Sequence, residues 1–154
     1  MLDTPQILET TAQHTAIIPI VTPREKIREV MGPGISELMS TIAAQGVSPT
    51  GPWFTHHRKM DPEIFDFAIS IPVSKPVTAV GRVQPGELPA RRVARTVYQG
   101  PYEGLGEAWG EFMDWIETQG HQPAPDLWEC YAYGPESTDD EAAYRTELNK
   151  PLLG

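Results

Sequence analysis

The chain has a single cysteine, Cys130, among 154 residues. That excludes an intramolecular disulfide framework and a cysteine-based zinc site. A lone strand cysteine reads as a small core residue rather than a catalytic thiol. No apolar run approaches the roughly 20 residues needed to span a bilayer. The N-terminus, MLDTPQILET, lacks the basic-then-apolar layout of a secretory leader, so a cytoplasmic protein is expected. Basic residues are scarce: 12 Lys and Arg against 21 Asp and Glu leave a formal net charge of −9. An acidic surface repels phosphate backbones, and no basic stripe is present, so direct nucleic-acid binding is not expected. GLGEAW (104–109) lacks the Lys-Ser/Thr element of a phosphate loop, and no G-x-S-x-G elbow occurs. His56 and His57 are adjacent on an apolar segment and would point to opposite faces of a strand, and His14 and His121 show no ligand spacing. No metal and no cofactor are expected.

What is present alternates between strand and helix patterns. TAQHTAIIPIV (11–21) reads as a strand, followed by Thr22 as N-cap, Pro23 at the first helical position and Glu25 closing a capping box. Ile27, Val30 and Met31 share a helical face. GPG (32–34) is expected to kink or restart the helix before Ile35, Leu38, Met39 and Ile42, with Gly46 as C-cap. WFTHHR (53–58) and FDFAISI (65–71) read as strands, the second with Phe65, Phe67, Ile69 and Ile71 on one face. VTAVGRV (77–83) reads as a short strand between the loops VSKP and VQPGELPA. RRVARTVY (91–98) is the next strand. A helix then carries Leu105, Ala108, Trp109, Phe112 and Ile116 on one stripe, with Gly120 beyond it. LWECYAY (127–133) and AYRTELN (143–149) close the chain, joined by the acidic loop GPESTDDEA.

The halves repeat. QGVSPTGPWF (45–54) lies over QGHQPAPDLW (119–128), an offset of 74 residues. Each follows an amphipathic helix and leads into an aromatic-rich strand. The expected fold is α+β in a single domain: two strand-helix-strand-strand units, residues 11–76 and 77–154, related by a pseudo-twofold axis. They would form an antiparallel sheet with the helices on one face and a central ligand cleft.

Leu88-Pro89-Ala90, VARTVYQGPYEGLGEAW (93–109), WIETQG (115–120), LWECY (127–131) and YRTELNKPL (144–152) resemble, in this order, the GyrI-like small-molecule-binding domain. That family includes the effector-binding domains of AraC-type and MerR-type multidrug regulators. The resemblance covers the chain, more closely from residue 88 onward. It implies the duplicated antiparallel fold and an aromatic pocket carrying one or two glutamates. The family's glutamate in the E-x-Y strand matches Glu129, with Tyr131, and its T-E glutamate matches Glu147. No helix-turn-helix segment precedes residue 11, so a stand-alone effector domain is expected.

Glu129 would share a strand face with Leu127, Tyr131 and Tyr133, leaving Trp128, Cys130 and Ala132 on the other. A carboxylate among rings needs a partner, which a cationic ligand supplies, unless that face is solvated. Glu147, between Arg145 and Asn149, is either the second acid implied by the resemblance or half of a salt bridge within the sheet. Tyr98, Tyr102, Trp109, Trp53 and Phe54 complete the candidate walls, each with ordinary core packing as the alternative.

The expected function is binding of amphipathic, cationic, aromatic compounds, for sequestration or sensing. The expected protein is a monomer or weak homodimer that does not enter membranes, with a regulator or a DNA-handling enzyme as a partner. Two other readings use the same residues. One is hydrolysis of cyclopropane-type DNA-alkylating toxins, as some relatives are known to do. The other is acidic inhibition of a DNA-handling enzyme.

Overall fold

The structure is a computed structural model that describes residues 2–58, 63–134 and 138–153. Pro135, Glu136 and Ser137 of the acidic loop lie outside the described residues. In chain order the elements are β1 (Gln6–Glu9), β2 (Gln13–Pro23), α1 (Ile27–Ala44), β3 (Phe54–His57) and β4 (Ile64–Pro72). There follow β5 (Gln84–Leu88), β6 (Arg92–Gln99), α2 (Leu105–Thr118), β7 (Leu127–Tyr133) and β8 (Arg145–Pro151). This is the expected α+β fold of antiparallel strands with two helices. It divides into two compact units, residues 11–90 and residues 91–154 with the first ten.

In the 11–90 unit the strand order is β3-β4-β2-β5. The period-2 pattern of β4 places Phe67, Ile69 and Ile71 beside Ile18 and Ile20 of β2, and Leu38 and Ile42 of α1 pack onto them. Each such buried side chain contributes about 1.5–3 kcal/mol relative to exposure. In the 91–154 unit the order is β1-β6-β8-β7. Ala108, Trp109, Phe112 and Ile116 of α2 pack there with Tyr98, Leu127 and Leu148. The helical stripes predicted from spacing are thus the buried ones.

The repeat is visible inside each unit. A proline in extended conformation, Pro23 or Pro101, leads into one 3₁₀ turn and then the helix. Each helix ends in the same Schellman motif. Gly46 (φ +66°) and Gly120 (φ +79°) take the left-handed position. Val47 N–H donates to the Ile42 carbonyl at 3.0 Å, and His121 N–H to that of Ile116 at 3.1 Å. These bonds satisfy carbonyls that the helix end would otherwise leave open. Pro49 then bridges to Val73, and Pro123 to Leu152. At the same offset, Thr55 corresponds to Glu129 and His57 to Tyr131.

Four local expectations are corrected. Thr22 does not cap a helix: β2 runs on through Pro23, pairing Thr22 with Phe65 and Pro23 with Ile64, and α1 begins at Ile27 without a side-chain cap. The GPG segment does not interrupt α1, which passes through Pro33 as one helix. Pro33 removes one helical hydrogen bond, while Val30, Met31, Ile35 and Leu38 hold the flanking turns on the sheet. VTAVGRV is not a strand: Val80 and Val83 bridge each other across a tight turn made by Gly81, at φ +57°. The strand comes next, as β5, where the outer position accommodates Pro85. Finally, the division falls after residue 90 rather than 76, because β5 pairs with β2. The N-terminal β1 joins the other unit by pairing with β6, fastened by Thr96 Oγ1 donating to the Asp3 carbonyl at 2.7 Å.

Candidate functional site in the 91–154 unit

The register of this sheet decides which side chains meet α2. Thr146 of β8 pairs with Tyr98 on one side and Tyr131 on the other, and Leu148 pairs with Thr96 and Glu129. Tyr98 and Leu148 belong to the core under α2, so Glu129, Tyr131 and Thr146 face the helix side too. A bulge between Tyr131 and Tyr133 ends the alternation, and Tyr133 is exposed, so it does not continue the face as expected.

The connection into α2 brings a further ring to this face. After β6, Gly100 turns the chain at φ +145°, a conformation that side chains other than glycine rarely adopt. Its N–H donates to the Tyr144 carbonyl at 2.9 Å. Pro101 is extended (φ −63°, ψ 152°), and Tyr102 opens the 3₁₀ turn before the helix. Tyr98, proposed from sequence as a ligand contact, instead donates its hydroxyl to the Pro101 carbonyl at 2.9 Å. The hydroxyl lies where a Cβ at Gly104 would be. Tyr98 therefore clamps the turn that presents Tyr102. Gly104→Ala is expected to lose about 1 kcal/mol of stability through overpacking, and a urea titration showing no loss would mean that Tyr98 gives way freely.

Tyr102 meets Tyr131 edge-on, with centroids 5.9 Å apart, and lies 5.0 Å from Tyr144. Beside this wall stands Glu129. The residue is half-buried, yet its Oε2 is enclosed and has no hydrogen-bond partner. Burial pushes its carboxyl up to about 7, against the opposing influence of the Trp109 indole N–H. Trp109 approaches closely enough to favour the charged form, but its Nε1 is outside hydrogen-bond geometry and is itself unpaired. A carboxylate held this way is destabilising until an opposite charge or a donor joins it.

Glu147 is not brought to this face. It pairs with Cys130 and Val97, whose side chains occupy the opposite side of the sheet. There Arg95 Nε lies 3.3 Å from Glu147 Oε1 and donates to Asn149 Oδ1 at 2.6 Å. Asn149 Nδ2 donates to Glu147 Oε1 at 3.2 Å. The ion-pair alternative describes Glu147, whose neighbours satisfy it. On the same side, burial followed by the Glu147 charge pushes the Cys130 thiol up, which makes it a poor nucleophile at neutral pH.

Trp53 and Phe54 lie in the 11–90 unit. Trp53 packs on that unit's core. Phe54 faces the other side of β3 and lines a cavity of about 140 Å³ with Thr15, His56, Arg58, Ser70 and Glu87. At the position matching Tyr131, His57 stacks on Phe67 with centroids 5.1 Å apart, and its Nε2 lies 3.1 Å from Thr55 Oγ1. Burial, with smaller contributions from His56 and Arg24, lowers its pKa to about 4. The residues matching Glu129 and Tyr131 are thus a hydroxyl and a neutral imidazole that meet each other. Tyr144 and Thr146 also stand at this candidate site and were not among the residues drawn from the sequence; the aromatic residue just before the closing strand was the available signal.

A sequence profile of the GyrI-like small molecule binding domain matches residues 4–152. No curated relative matches by sequence. Among solved structures, the C-terminal domain of EcmrR is 20% identical with a TM-score of 0.87, over 97% of each chain. EcmrR in its complex with DNA is 21% identical with a TM-score of 0.86, over 97% of this chain and 57% of that one. The present chain therefore spans little more than half the length of that EcmrR chain. SAV2435 bound to tetraphenylphosphonium is 13% identical with a TM-score of 0.66, over 99% of this chain and 95% of that one. Among the described residues, no helix is long and apolar enough to cross a membrane.

Proposed function

This chain belongs to the family of GyrI-like small molecule binding domains, and on that premise we propose that it binds amphipathic aromatic cations at Glu129. The observation that carries this reading is the enclosed, unpaired Glu129 Oε2 beside the rings of Tyr102 and Tyr131. Apolar burial and ring contacts give breadth of ligand shape, and the carboxylate gives preference for positive charge. SAV2435, which shares the fold, is bound to a lipophilic cation. The net charge of −9 adds a long-range attraction for the same ligands. Inside the cell, such binding would sequester the compounds or report them to a regulator.

The test is a tryptophan-fluorescence and thermal-shift screen of cationic, neutral and anionic aromatic compounds. Cations are expected to raise the melting temperature selectively. Equal responses to all three charge classes, or to none, would remove the basis for the reading. Recovery of each compound unchanged after incubation separates binding from hydrolysis.

A further inference from the structure

Three polar atoms in the 91–154 unit are buried without a protein hydrogen-bond partner among the described residues: Trp109 Nε1, Glu129 Oε2 and Thr146 Oγ1. Buried polar atoms are satisfied so regularly that three orphans in one small unit need an explanation. They also share a location. Thr146 pairs with Tyr131, the next residue along the face from Glu129, and Trp109 is the polar neighbour that acts on the Glu129 carboxyl.

Their hydrogen-bonding capacities complement one another. The indole N–H only donates, an ionised carboxylate only accepts, and a threonine hydroxyl does either. A quaternary ammonium or phosphonium ion neutralises the carboxylate charge but offers no donor and no acceptor, so all three atoms stay unpaired. A protonated amine donates to Glu129, and an oxygen near its nitrogen accepts from Trp109 or Thr146. Sites built around buried polar groups discriminate strongly against ligands that leave them unpaired.

We propose that this site selects hydrogen-bonding cations, protonated amines or amidines with a nearby acceptor, over permanently charged cations of similar size. The inference rests on the reading of Glu129 as the cation site and names the ligand class within it.

The test is calorimetric titration of the whole chain at about pH 8.5, where Glu129 is ionised. Three probes are compared: a strongly basic aliphatic tertiary amine bearing an aryl ether, its N-methylated quaternary salt, and tetraphenylphosphonium. The amine is expected to bind at least about fivefold more tightly than its N-methylated form. Of Trp109→Phe and Thr146→Val, assayed separately, at least one should narrow that ratio. Equal or tighter binding of the quaternary salt overturns the inference while leaving cation binding at Glu129 intact. A ratio that persists undiminished in both variants overturns the role given to Trp109 and Thr146. Binding of none of the three probes overturns the proposed function and this inference together. Comparing the ratio within each variant keeps the result readable if either variant loses stability.

Discussion

Glu129→Gln is expected to weaken binding of a cationic aromatic dye by at least about tenfold, roughly 1.4 kcal/mol. A neutral dye of similar shape should change by less than about twofold. The substitution keeps the size of the side chain and removes its charge, so the contrast between the dyes isolates the electrostatic contribution. Equal losses for both dyes would make Glu129 a scaffold residue. The wild type supplies an independent version of the same experiment. Its carboxyl titrates near 7, so lowering the pH from about 8 to about 6 neutralises most of it and should weaken cation binding nearly tenfold. Glu129→Gln should show little of that pH dependence.

The same substitution is expected to change how stability depends on pH. Glu129 has its pKa raised from 4.5 to about 7 by burial. The folded state therefore holds the proton more tightly than the unfolded chain. That contribution favours folding fully below about pH 4.5 and is lost as pH rises through about 7. His57 runs the other way, lowered from 6.5 to about 4. Its contribution is present above about pH 6.5 and lost as pH falls through about 4. Each shift is on the order of 3 kcal/mol. The two slopes oppose each other across the acid range, so these two contributions nearly cancel there. In Glu129→Gln the His57 slope is no longer offset by that of Glu129. The variant's stability relative to wild type should rise by on the order of 3 kcal/mol between about pH 4.5 and 7, which a series of urea titrations would measure. A difference that stays constant with pH would mean that the carboxyl is not buried in the folded protein.

Most of the architecture was legible because burial imposes periods that the residues display. The α2 stripe, the alternation of β4 and the matched Gln-Gly pairs at the helix ends all read directly from spacing. What failed depends on pairing partners. Pro23 looks like a helix opener, but its backbone partner Ile64 holds it in a strand. Pro85 and Gly86 look like a loop, yet they form an outer strand that only the register with β2 makes visible. Glu129 was singled out by its aromatic surroundings. Glu147 was grouped with it because a single sequence does not reveal that Glu129 pairs with Leu148 rather than with Glu147, and that one-residue difference sends the two carboxylates to opposite faces. Tyr98 was misassigned for a related reason: its hydroxyl partner is a carbonyl of the following turn, and nothing in the side chain's identity announces that bond.

The two matching helix ends show that this chain carries the same building plan twice, but the copies have diverged in chemistry. At the matched positions one copy holds Thr55 and His57, in contact with each other, and the other holds an acid and a tyrosine. Repetition of a scaffold permits a division of labour. One copy holds a self-satisfied version of the strand, while its twin holds the enclosed, unpaired carboxylate on which the proposed function rests. Thr55→Glu, which places an acid at the matching position of the quiet copy, would ask how much of the proposed binding chemistry belongs to the scaffold and how much to the residues around Glu129.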